Sequence, residues 1–175
     1  KYIDQHRGEI AIASKVGEGT SIRILLPEIK KELEVGEVEQ IQSETSHSEK
    51  DILLVEDEPA IAEIQSKILS SDPCRHRVDI AINGKMAMEM AEAKHYDVIS
   101  LDYMLPGDIN GMDVYRHIRQ TDTETPVIFI SGNVEFLASI KALRQKDPFI
   151  DHLSKPCMNL DYVRGINRLL DKVTE

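Results

Sequence analysis

Cysteine is scarce here. Cys74 and Cys157 are the only two in 175 residues, too few for a disulfide framework and too widely spaced for a paired metal-ligand motif. Both are expected to be reduced thiols in packed or partly packed positions. The six histidines form no ligand-like cluster, so a zinc centre is not supported. Positive charge is also in deficit: 21 Lys and Arg stand against 31 Asp and Glu, a net charge of −10. The phosphate attraction that drives nucleic-acid binding then has no overall source, and direct DNA or RNA binding is disfavoured. No apolar run approaches the roughly 20 residues of a membrane span, and no basic-then-apolar leader opens the chain. A cytoplasmic location without membrane contact is expected. The first residue is Lys1, not Met, in what reads as the end of a helix, so the chain is expected to be cut from a longer protein.

What is present is enough for a core. The apolar content is 41%, and the length suits one domain of about 100–150 residues plus a smaller piece. Three zones divide the chain: residues 1–28, 29–50 and 51–175. In the first, Glu9 to Ala13 and Ser21 to Leu26 alternate, placing Ile10, Ile12, Ile22, Ile24 and Leu26 on one face, and Gly17-Glu18-Gly19-Thr20 supplies the turn between them. This predicts a β-hairpin whose isoleucine stripe needs another surface to cover it. The second zone is rich in Glu, Gln, Ser and Thr and reads as a solvated linker. A short helix through Leu33, Val35, Val38 and Ile41 is the alternative there.

The third zone alternates short apolar runs with segments of helical period. The runs are Ile52 to Val55, Val78 to Ile82, Val98 to Leu101, Val127 to Ile130 and Phe149 to Leu153. Ile61, Ile64 and Ile68 mark the first helix, and Leu160, Val163, Ile166 and Leu170 the last. Five β-branched runs without polar alternation, each followed by a helix, predict an α/β fold with a parallel sheet covered on both faces. Right-handed crossovers leave few topologies, and a flavodoxin-like doubly wound sheet, strand order 2-1-3-4-5, is expected.

In such sheets ligands bind beyond the carboxyl ends of the strands. The first run ends in Glu56-Asp57-Glu58, the third in Asp102, the fourth in Ser131-Gly132 and the fifth in Ser154-Lys155-Pro156. Adjacent carboxylates repel unless a cation joins them or one takes a proton. A magnesium ion suits oxygen ligands of this kind. Asp102 then has the chemistry of a nucleophile toward phosphorus, Lys155 that of a compact positive charge, and Ser131 that of a hydrogen-bond donor to a phosphoryl oxygen. Gly132 keeps a side chain out of the approach. Taken singly, a strand-terminal Asp is often only a helix cap, and a lone Lys-Pro is often a surface loop. The joint placement on one sheet edge carries the weight.

Asp51 to Glu58, Tyr96 to Gly107, Thr125 to Gly132 and Leu153 to Pro156 together resemble a response-regulator receiver domain of two-component phosphorelays, over about residues 51 to 173. The resemblance implies that Asp102 is the phosphoacceptor. It implies that Asp57 ligates Mg²⁺ directly, that Glu56 acts mainly through water, and that Met104 lends its backbone carbonyl to the metal. Ser131 and Lys155 would hold the phosphoryl group. Receivers couple phosphorylation to a movement of the Ser or Thr and an inward turn of an aromatic ring three residues before the Lys. Here that position is His152, whose titratable tip suggests pH-sensitive coupling. The turn after Pro106 reads one residue long, so the Asp108 to Gly111 loop is expected to be displaced. Met104 and Asn133 occupy the positions where receivers tune hydrolysis. Apolar Met104 cannot orient an attacking water, so a phosphoryl lifetime longer than seconds is expected.

His6 to Ile10, Gly17 to Thr20 and Ile22 to Pro27 resemble the last hairpin of a histidine-kinase ATP-binding domain. No nucleotide motif or phosphorylatable His helix accompanies them, so ATP binding is not expected. The combination implies a hybrid sensor kinase whose parent is possibly membrane-anchored. The implied partners are the phosphohistidine of a kinase and a histidine phosphotransfer protein, and a homodimer is open. A haloacid-dehalogenase-type phosphatase is the enzymatic alternative, but it needs a second Asp where Met104 stands. A pseudo-receiver that binds without phosphorylation is the other.

Overall fold

The computed structural model describes residues 9–17, 19–25 and 48–174, and the chain divides into two units, Lys1–Glu37 and Val38–Glu175. In the first unit, β1 (Glu9–Lys15) and β2 (Gly19–Leu25) form an antiparallel hairpin. Ile10 stands opposite Ile24 and Ile12 opposite Ile22, so the expected isoleucine face is formed. All four are half or more exposed. The turn needs its glycines: Gly17 and Gly19 have φ of 81° and 100°, a region that side-chain-bearing residues rarely adopt. Leu26 and nearly all of the expected linker, including the alternative helix there, lie outside the described residues.

The second unit follows the predicted alternation. Its strands are β3 (Asp51–Val55), β4 (Arg77–Ala81), β5 (Val98–Asp102), β6 (Val127–Ser131) and β7 (Ile150–Ser154). Its helices are α1 (Pro59–Ser70), α2 (Gly84–Ala93), α3 (Gly111–Ile118), α4 (Val134–Leu143) and α5 (Asn159–Thr174). All five strands are parallel in the order β4-β3-β5-β6-β7, which is the expected doubly wound, flavodoxin-like arrangement.

Strand geometry explains the layers, because successive side chains point to opposite faces. Leu53, Val55, Ile99, Leu101, Val127 and Phe129 pack with Ala87 of α2, Val114 and Ile118 of α3, and Ile140 of α4. Ile52, Val98, Ile128 and Ile130 pack on the other face with Leu69 of α1 and Tyr162, Ile166 and Leu170 of α5. The core-facing stripe of α1 is Ala62, Gln65 and Leu69, while Ile64 is 57% exposed. Both stripes satisfy a 3.6-residue period, and Ile61, Ile64 and Ile68 line a groove with Cys157 and Met158. Both cysteines are free thiols.

Candidate functional site

Parallel strands deliver their C-terminal residues to one edge, and here β3, β5, β6 and β7 deliver Glu56, Asp102, Ser131 and Lys155. Glu56 follows β3 immediately, and its backbone N–H donates to Ala81 O at 3.1 Å, so the chain stays against the sheet for one residue more. Its side chain is 2% exposed. Asp102 closes β5 and is 6% exposed. From β7 the Lys155 ammonium reaches across, donating to Asp102 Oδ2 at 2.6 Å and to Glu56 Oε2 at 2.8 Å. Lys155 N also donates to Ser131 O at 2.9 Å, which sets where its side chain starts.

The electrostatics follow from burial and sharing. Loss of hydration raises the Glu56 pKa above its ordinary value, and the Asp102 charge adds to this, while the Lys155 ammonium opposes it. Burial alone would lower the Lys155 pKa, but hydrogen bonds to Asp102 and Glu56 outweigh it and hold the ammonium protonated. Three carboxylates against one ammonium leave the site electron-rich. Glu56, Asp57 and Asp102 each offer an oxygen, and the three oxygens lie within 4.8 Å of one another. Two Mg–O distances of about 2.0–2.1 Å placed end to end span about 4 Å, so this donor set fits a small hard cation after slight closure.

The loop after Asp102 is tied at both ends. Met104 N donates to Asp102 Oδ1 at 3.0 Å, and the Met104 side chain is 63% exposed. Tyr103 N donates to Ile130 O and Tyr103 O accepts from Gly111 N at 2.9 Å. A Cβ on Gly111 would lie 2.4 Å from Asp102 O and 2.8 Å from Tyr103 Cα, so only glycine lets α3 begin this close to β5. Asn110 caps α3 in a reciprocal box with Asp113. The Asp108 to Gly111 loop thus ends in a fixed helix start, with Ile109 packed on Gly84.

Ser131 is fully buried, and its Oγ accepts from Asn133 N at 3.0 Å. Asn133 Oδ1 in turn caps α4 by accepting from Phe136 N at 2.9 Å. Asn133 Oδ1 is therefore engaged at the start of the helix. His152 sits opposite Phe129 in the β6–β7 register. Its side chain is 17% exposed and its Nδ1 is buried without a hydrogen-bond partner. Burial lowers its pKa, Arg144 and Lys141 add to this, and Asp151 opposes it.

Two features escaped the sequence reading. The ring of Tyr103, directly after Asp102, stacks on Phe136 of α4 at 3.7 Å between centroids and 17° between planes. Nothing in the spacing of residues 103 and 136 announces that contact. The close approach at Gly111 was also missed, although Asn110-Gly111-Met112-Asp113 is readable as a helix start.

The family model for the response regulator receiver domain matches residues 52–166. The response regulator ArlR of Staphylococcus epidermidis is 39% identical over 92 residues, 53% of this chain and 40% of the relative. The transcriptional regulatory protein TcrA of Mycobacterium tuberculosis is 34% identical over 121 residues, 69% of this chain and 46% of the relative. The chain spans less than half the length of these curated relatives. Its acidic balance therefore bears on the matched domain and does not exclude nucleic-acid binding by a longer protein. Among solved structures, the receiver domain of a sensor histidine kinase from Pseudomonas aeruginosa, with magnesium coordinated in its active-site cleft, aligns with a TM-score of 0.60 at 28% identity. The alignment covers 71% of this chain and 99% of that one. A Francisella response regulator receiver domain aligns with a TM-score of 0.61 at 25% identity, over 72% of this chain and 99% of that one. Among the described residues no helix is long and apolar enough to cross a membrane.

Proposed function

Because the chain belongs to the response regulator receiver domain family over residues 52–166, we propose that it is a phosphoacceptor module, taking a phosphoryl group from a phosphohistidine onto Asp102. The observation that carries this reading is the Lys155 ammonium held against both Asp102 and Glu56, at 2.6 and 2.8 Å. An Asp102 oxygen forms a bond to phosphorus as the phosphorus–nitrogen bond of the donor breaks, and the imidazole keeps the electron pair and takes up a proton. Lys155 neutralises charge on the phosphoryl oxygens, and Ser131 donates a hydrogen bond to one of them.

Glu56, Asp57 and Asp102 are the residues that would hold Mg²⁺, with the Met104 carbonyl completing the protein's share. The ion would supply neutralisation of the charge on the acceptor and phosphoryl oxygens. Met104 presents an apolar side chain to solvent and so orients no attacking water. The adduct accordingly outlives seconds and can be passed on.

The donor is the phosphohistidine of a kinase or of a histidine phosphotransfer protein. Residues 1–28 are the remnant of a kinase ATP-binding domain, 29–50 a linker and 51–175 the receiver of a hybrid sensor kinase acting in the cytoplasm. The hairpin resemblance supports this, as does the likeness to a receiver from a sensor histidine kinase.

Acetyl phosphate or a phosphorylated kinase, with Mg²⁺, tests the proposal. An acid-stable, base-labile adduct that Asp102→Asn abolishes is expected. Turnover without an adduct would indicate a phosphatase, and an unmodified protein a pseudo-receiver.

A further inference from the structure

We propose that the Tyr103–Phe136 ring stack is the element through which the state of Asp102 reaches α4, in the role the ring position on β7 would otherwise fill. This rests on the phosphoacceptor reading above. A chain of contacts runs from Ser131 to Asp102. Ser131 Oγ accepts from Asn133 N at 3.0 Å, and Asn133 Oδ1 accepts from Phe136 N at 2.9 Å. The Phe136 ring lies flat on Tyr103 at 3.7 Å, and Tyr103 is covalently joined to Asp102.

The two halves of the stack are anchored differently. Tyr103 is held by backbone hydrogen bonds to Ile130 O on one side and from Gly111 N on the other, so its ring follows the β5 edge. Phe136 sits in the first turn of α4, whose N-terminal cap is Asn133. When Ser131 turns its hydroxyl toward a phosphoryl oxygen on Asp102, the hydrogen bond from Asn133 N is drawn along or lost. Either outcome displaces the cap, and with it the Phe136 ring relative to Tyr103. Phe136 also meets Phe129 edge to face at 5.4 Å between centroids, which fixes its other side against the sheet. The ring can therefore slide across Tyr103, but it cannot swing out freely.

His152 is poorly placed for the same task. Its side chain is only 17% exposed and stands beside β6, so most of the burial that an inward turn would bring to an exposed ring is already made. Its buried Nδ1 has no hydrogen-bond partner.

Amide hydrogen exchange of residues 135–139 on the full chain, with and without beryllofluoride plus Mg²⁺, tests the inference. Wild type is expected to change exchange in this first turn by at least about fivefold. Phe136→Leu and, as a milder second variant, Tyr103→Leu are expected to reduce that change to less than twofold while still gaining melting temperature from beryllofluoride. His152→Ala is expected to keep the wild-type response. A full α4 response in both stack variants, or its loss in His152→Ala alone, overturns the inference while leaving the acceptor reading intact. A wild type whose melting temperature ignores beryllofluoride overturns both.

Discussion

Lys155 Nζ stands 2.6 Å from Asp102 Oδ2, closer than the 3.0 Å at which Met104 N donates to the same carboxylate at the end of β5. The same ammonium is 2.8 Å from Glu56, so one cation holds two buried acids together. Removing it leaves those acids facing each other with little water. Lys155→Ala is expected to destabilise the fold by about 2–3 kcal/mol, less than a fully buried pair because the Lys side chain is 27% exposed. Millimolar Mg²⁺ should restore part of the loss, since it neutralises the same oxygens. Urea unfolding with and without Mg²⁺ measures both effects, and an unchanged midpoint without the ion would count against the proposed electrostatics.

Gly111 and Gly132 flank the site and should respond oppositely to one methyl group. At Gly111 a Cβ would meet the backbone of Asp102 and Tyr103 at 2.4 and 2.8 Å, and backbone cannot step aside cheaply. Gly111→Ala is expected to cost about 1–3 kcal/mol and to weaken beryllofluoride binding by moving the end of β5. At Gly132 the nearest atom would be Lys155 Cβ at 3.9 Å, an ordinary contact. Gly132→Ala is expected to stay within about 0.5 kcal/mol of wild type. Denaturant midpoints of the two variants decide the matter.

The strands and the acidic edge were legible because the central parallel strands, buried on both faces, are mostly apolar, and each of the five runs is followed by a polar residue. Glu56, Asp102, Ser131 and Lys155 stood at the ends of those runs, and the receiver resemblance supplied the roles expected of them. What the sequence could not convey were choices between equivalent patterns and contacts between distant segments. The first helix carries two stripes of similar period, and only packing selects Ala62, Gln65 and Leu69 over Ile61, Ile64 and Ile68. The Tyr103–Phe136 stack joins residues whose approach depends on where α4 begins, and no local pattern states that.

Away from the site, Asp147 gives the domain an acid-sensitive joint. Burial alone would raise its pKa, but Arg119, Tyr115 and the Phe149 amide together hold it below the ordinary value. Its Oδ2 accepts from Arg119 Nε at 2.7 Å and from the Tyr115 hydroxyl at 2.8 Å. A depressed folded pKa means the unfolded chain takes up the proton first. The stabilisation is thus complete above about pH 3.9 and is lost as the pH falls through the lower folded value. Asp147→Asn is expected to lower stability by about 1–3 kcal/mol at pH 7 and to flatten the acid arm of the curve. Chemical unfolding between pH 2.5 and 7, read as variant against wild type, isolates this group, and parallel curves would refute the assignment.

Tyr115, on the other end of that bond, works in the alkaline range. Burial and the Asp147 charge push its pKa up to about 12. Here the folded state keeps the proton longer, so stability is full below about pH 10 and drains away as the pH rises toward the folded value. Tyr115→Phe removes the hydroxyl and should cost about 1 kcal/mol near neutrality while removing the alkaline loss attached to this residue. Unfolding midpoints at pH 8, 10 and 11 separate the two effects. A variant that still falls with pH as steeply as wild type would place the alkaline transition elsewhere, and a variant as stable as wild type at pH 8 would show that the Asp147 carboxylate is satisfied by Arg119 and the Phe149 amide alone.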